Sequence, residues 1–130
     1  MKTKSLYIYP YGEEVIVILS DDANKVKKYI RKNIPEEYNN SWEATIDNTY
    51  HPNQNKQGAC FVSTDDTIHW ICFQKKLKSL YDISILAHEA LHITHRILSR
   101  RGLLLTPDTE EAYTYLQQDI IKRAGDFLMK

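Results

Sequence analysis

Residues 80–101 read LYDISILAHEALHITHRILSRR. Ile83, Leu86, Ala87, Ala90, Leu91, Thr94, Ile97 and Leu98 recur at three- and four-residue intervals, the period of an amphipathic helix with one apolar stripe. Arg96, Arg100 and Arg101 load its C-terminal end, where cations suit the helix dipole, and Gly102 suits the stop. Inside this helix stands His88-Glu89-Ala90-Leu91-His92, an HExxH motif. Residues four apart differ by only about 40° in azimuth, so both imidazoles leave one face, one turn apart. Two such nitrogens can share one Zn2+ at about 2.0–2.1 Å. Glu89 lies on a neighbouring line of the helix. From there it can reach a metal-activated water without ligating the metal, and act as a general base.

A catalytic zinc site takes three protein ligands and keeps one position open. His95 follows on the same face, yet three side chains of one straight helix reach around a tetrahedral metal poorly. It is expected beside the site, toward substrate, or as plain helix surface. A carboxylate on the final helix is the better third ligand. Thr106-Pro-Asp-Thr109 starts that helix with N-cap residues, and Ala112, Leu116, Ile120, Ala124 and Phe127 give it one apolar face to about residue 127. Glu110 and Glu111 lie in its first turn, and the Gly102 break followed by a short link brings them back alongside the motif. Amphipathicity favours Glu110, which lies nearer the apolar stripe.

The motif at 88–92 and the segment Asp108-Thr-Glu-Glu-Ala-Tyr-Thr-Tyr115 together resemble the gluzincin metallopeptidases, in which a Glu on a following helix completes a His2Glu zinc site. Residues 80–120 are also similar to the short HExxH proteins of bacteriophages and mobile elements (the minigluzincin type), which place a Glu-x-x-small-Tyr segment after the motif helix. That resemblance puts the third ligand on Glu111, with Thr114 as the small residue and Tyr115 after it. The longer metzincin form is excluded, because it needs Gly at 95 and His at 98, where this chain has His95 and Leu98. The resemblance implies a zinc-dependent peptidase acting on a peptide or protein substrate, with His88, His92 and Glu111 as ligands and Glu89 as base. The alternative is a non-catalytic zinc-site protein that binds or sequesters a protein partner. His95, Tyr113 and Tyr115 are the candidates for stabilising the transition state.

Upstream, Ser5–Tyr11 alternates with period two and Val15–Leu19 is a continuous apolar run. Joined through a turn at Pro10–Glu13, they read as a hairpin. Ser20-Asp21-Asp22 caps a helix carrying Val26, Tyr29, Ile30 and Ile34, with Pro35 after its end. Its other face holds Lys25, Lys27, Lys28, Arg31 and Lys32, a solvated face offset by nearby acids rather than a phosphate-binding one. Strand patterns follow near Trp42–Asp47, Ala59–Ser63 and Thr67–Phe73. Loops at 36–41 and 51–58 and a turn at Asp65-Asp66 separate them, and Lys75–Lys78 connects to the motif helix. In gluzincin-like folds an edge strand borders the cleft and pairs with an extended peptide. Thr67–Phe73 is the candidate for it, with His69 and Trp70 as possible substrate contacts.

The order β-β-α-β-β-β-α-α over 130 residues is that of one small α+β, zincin-like domain with a mostly antiparallel sheet. Lys plus Arg and Asp plus Glu each number 17, so no basic excess points to nucleic acid or a membrane surface. The two cysteines, Cys60 and Cys72, cannot build a disulfide framework or a structural zinc finger. They read as reduced and buried, with one cross-strand bridge in a secreted protein as the alternative. No signal-peptide or membrane-spanning pattern is present, which suggests the cytoplasm.

Overall fold

A computed structural model describes residues 1–34, 41–51, 59–64 and 67–130. The expected loops at 36–41 and 51–58, the turn at Asp65-Asp66 and the stop at Pro35 fall wholly or largely outside them. The chain is a small α+β protein, with four helices and a four-stranded mixed sheet among the described residues. It divides into two compact units, Met1–Lys76 and Leu77–Lys130.

The first unit holds β1 (Lys2–Ile8), β2 (Glu13–Leu19), α1 (Ala23–Lys32), α2 (Ser41–Thr49), β3 (Ala59–Ser63) and β4 (Ile68–Phe73). The strands lie in the order β1-β2-β4-β3. β1 and β2 form the expected antiparallel hairpin, with Lys2 opposite Leu19 and Ile8 opposite Glu13. Gly12, at φ 70°, supplies the left-handed residue of its turn. β3 and β4 form a second antiparallel pair. Between the hairpins, β2 and β4 run parallel, Glu14 beside Ile68 through Leu19 beside Phe73. A parallel junction needs a long crossover, and the stretch containing α1, α2 and β3 provides it.

Two readings are corrected here. Trp42–Asp47, expected as a strand, lies in helix α2. Trp42, Ala44 and Ile46 alternate, but Trp42 and Ile46 are also four apart, and only these two are buried in α2. A short apolar segment fits both periods, and here packing selects the helical one. Thr67–Phe73 is not an edge strand either, because β4 is flanked by β2 and β3. His69 and Trp70 are fully buried and do not lie on a substrate-facing rim. The physical reason is legible in Ile71-Cys72-Phe73, an unbroken apolar run that suits a strand covered on both faces.

One sheet face packs on α1 and α2. Ile16, Ile18, Cys60, Val62, Trp70 and Cys72 meet Val26, Ile30, Trp42 and Ile46 there. Tyr29 stands edge-on to Trp70 at 6.0 Å between ring centres. Cys60 and Cys72 are directly opposite across β3 and β4, both buried as free thiols. Part of the basic face of α1 is neutralised by α2, since Lys27 pairs with Asp47 at 2.7 Å and Arg31 with Glu43 at 2.6 Å. Asp47 and Glu43 thus join the acids expected to offset that face.

The second unit is a helical hairpin of α3 (Leu80–Ser99) and α4 (Glu110–Met129). Ser79 caps α3 by accepting from the Asp82 N–H. Gly102, at φ 76°, follows the end of α3 as expected. Partners along α4 run backward along α3, so the helices are antiparallel. Tyr113 contacts His95, and the Gln117 amide donates to the Ala87 carbonyl at 3.1 Å. The Leu77 N–H donates to the Leu128 carbonyl at 3.1 Å. Among the described residues no helix is long and apolar enough to cross a membrane.

Candidate metal centre

The residues of the motif divide by exposure. Leu86, Ala90, Ile93 and Ile97 are buried, while His88, His92 and His95 are exposed. The three histidines thus share the outward stripe of α3. The Nε2 atoms of His88 and His92 stand 3.2 Å apart, with ring centres 4.8 Å apart and planes at 75°. Two nitrogens each about 2.05 Å from one tetrahedral metal would be separated by about 3.3 Å. The pair therefore matches an edge of a zinc tetrahedron. The same spacing accommodates one imidazole N–H donating to the other ring's lone pair when no metal is bound.

Burial is the first cause, and the neighbouring His88, Arg96 and His95 the next, that hold the His92 pKa below the ordinary 6.5. A second positive charge beside these groups is unfavourable, so the neutral ring, which is the ligating form, is favoured. The sign of the linkage follows. Because the folded value lies below the unfolded one, this group's contribution to stability is full above pH 6.5. It is lost as the pH falls below that value, where the unfolded chain binds more protons. In the metal-free protein, a histidine-by-histidine NMR titration should therefore place the His92 midpoint below 6.5, and Arg96→Gln should raise it. A midpoint at or above 6.5 would contradict this electrostatic account.

Glu89 is 9% exposed. It lies one residue after His88, and Ala87 one residue before, so the two sit about 100° to either side of the histidine line. α4 docks on the Ala87 side through Gln117. Glu89 therefore flanks the histidines on one side and α4 flanks them on the other.

Glu110 and Glu111 form the first turn of α4, and both are exposed. Glu110 stands within about 20° of the azimuth of Gln117, toward α3, whereas Glu111 stands about 160° from buried Tyr113, on the solvent side. The histidines also leave the solvent side of their helix. Among the described residues no three His, Cys, Asp or Glu side chains form a metal-holding group. The histidine pair is assembled, and the carboxylates stand in the next helix without joining it.

Of the other candidates, Tyr113 is buried and its hydroxyl donates to the Leu103 carbonyl at 2.6 Å, which ties the interhelical link to α4. Tyr115 is exposed. His95 lies against Tyr113, ring centres 6.3 Å apart. A cluster in the other unit, Glu13, His69 and Ser63, is not announced by the sequence, since its members lie on three different strands. Only the sheet register could have joined them. No family model, curated protein or solved structure matches this chain.

Proposed function

We propose that this protein is a zinc-dependent peptidase of the HExxH, gluzincin-like kind, built as a small zincin-like fold. The observation that carries the reading is the pair of exposed Nε2 atoms 3.2 Å apart on one helix face, a separation that suits two ligands of one tetrahedral ion. His88 and His92 would hold Zn2+ with a first-turn carboxylate of α4, which the motif assigns to Glu111. Zinc, when bound, supplies a Lewis acid that lowers the pKa of water and polarises a carbonyl oxygen. The protein's own groups do the rest. Glu89, beside the histidine line, takes a proton from the attacking water and delivers it to the leaving amine. Gln117, bonded to the Ala87 carbonyl, fixes α4 against α3 and so sets where the first turn of α4 can deliver its carboxylate.

The direct test is metal analysis of the purified protein after zinc loading and desalting. One zinc per chain is expected for the wild type, and His88→Ala should retain far less than one. Equal zinc in both, or none in the wild type, would overturn the reading.

A further inference from the structure

Two deeply buried ionisable groups lie in the sheet of the first unit. Glu13 is 1% exposed and His69 is 0% exposed. The His69 ring bridges Glu13 and Ser63, with Nε2 2.5 Å from Glu13 Oε1 and Nδ1 2.6 Å from Ser63 Oγ.

The register explains how three strands bring these groups together. Ser63 and His69 are directly opposite in the β3–β4 pair. The Thr64 N–H donates to the Ile68 carbonyl at 3.4 Å. Ladder bonds therefore fall on the adjacent pair, which leaves Ser63 and His69 as the closer-spaced, non-bonded type. Val15 is the β2 neighbour of His69, and Glu13, two residues earlier, projects from the same sheet face.

A relay needs one arrangement of protons: with Glu13 ionised and the ring neutral, the ring proton sits on Nε2 and faces Glu13, because a carboxylate only accepts. Nδ1 then carries the lone pair and accepts from the Ser63 hydroxyl. This is an acid–imidazole–hydroxyl relay with the base aimed at the hydroxyl proton. The alternation that directs the Thr64 N–H to β4 directs the Ser63 N–H to the other side of β3, where no strand lies among the described residues. That N–H is the candidate donor for a developing oxyanion.

Sheet stability does not require such a cluster. Val15, Val17, Ile71 and Phe73 on the same face are fully buried apolar side chains. Replacing a buried ionic pair by apolar residues of similar volume is often neutral or stabilising. Buried titratable groups in a directed cluster are enriched at functional sites, and structural ion-pair networks share the pattern.

We propose that Ser63 is an acyl-accepting nucleophile, activated by His69 and Glu13, that reacts with small, activated esters. Ser63 is half-buried at the end of an edge strand, and a small ester would reach its hydroxyl from the sheet edge. Oγ attacks the ester carbonyl carbon while its proton passes to Nδ1. The carbon–oxygen bond to the leaving alcohol breaks, and Nδ1 returns the proton to that alcohol. A serine ester remains, and water releases the acid by the same steps in reverse. The inference does not rest on the zinc reading, and removal of metal leaves it unchanged.

The test treats the full chain with p-nitrophenyl acetate in the presence of a chelator. The expected result is one acetyl group on Ser63 by peptide mass mapping, and none there in Ser63→Ala. Glu13→Gln, which no longer holds the tautomer with an anionic acceptor, should slow acetylation on the order of 10^2–10^4-fold while its circular dichroism stays that of the wild type. Absence of acetyl-Ser63 under excess reagent, or wild-type rates in Glu13→Gln, would overturn the proposal. If Glu13→Gln does not fold, the wild-type rate decides. Acetylation at least about 100-fold faster than that of N-acetylserinamide supports the relay, and an equal rate refutes it.

Discussion

Glu89→Gln should keep its zinc and lose its peptidase activity, with kcat lower by about 10^2–10^4-fold. The substitution is close to isosteric, so His88 and His92 on the adjoining lines keep their positions, and zinc content stays at the wild-type level. What disappears is the lone pair that takes a proton from water. Because Glu89 is placed beside the histidines and not among them, KM should change much less than kcat. The measurement is a peptide-library digest followed by kinetics on any cleaved sequence, with metal content determined on the same samples. Cleavage by Glu89→Gln at the wild-type rate would remove Glu89 from the chemistry. Zinc bound by both proteins with no cleavage by either would favour the alternative of a non-catalytic zinc protein that holds a partner. A structural zinc site has no use for a general base, so the presence of Glu89 between the two histidines argues for the first outcome.

The parts that could be read from the chain were those that depend on one local period. The helix over 80–99 and its Gly102 stop follow from periodicity and end chemistry. So does the outward direction of His88 and His92, because residues four apart must share a face. The β1–β2 hairpin was legible for the same reason. What could not be read depends on partners distant in sequence. The parallel laying of β4 on β2 joins residues more than fifty positions apart, and nothing local to Ile68–Phe73 distinguishes an interior strand from an edge except its continuous apolar character. That character was present and was outweighed by the strand's position before the motif helix. Trp42–Asp47 failed differently, since six residues with three apolar ones satisfy both a strand and a helix. The relay of Glu13, His69 and Ser63 combines both difficulties. Ser63 and His69 are six apart across a hairpin, but Glu13 reaches them only through the parallel junction.

Glu111→Gln should weaken zinc binding by about 100-fold or more, and Glu110→Gln by no more than about 3-fold. Loss of a supporting hydrogen bond alone costs about 10–100-fold in metal affinity, so loss of a direct ligand belongs at or above the top of that range. Two considerations compete over which carboxylate it is. Glu110 shares the azimuth of Gln117 and points at the helix interface. The histidines, however, do not lie in that interface. They leave the exposed stripe of α3, so a ligand from α4 must come from its solvent-side flank, and Glu111 is on that flank. The motif resemblance selects the same residue. The N-cap residue of α4, Thr109, makes no side-chain hydrogen bond to the helix. Instead, the Thr109 hydroxyl accepts from the Thr106 N–H at 2.9 Å and donates to the Leu104 carbonyl. Competition titration of zinc against a chromophoric chelator at pH 7.5 measures both variants on one scale. The reverse order of effects would move the ligand to Glu110 and show that the helix interface, not its outer flank, faces the metal. Wild-type affinity in both variants would mean that α4 donates no ligand, leaving a two-histidine site too open to hold zinc for catalysis.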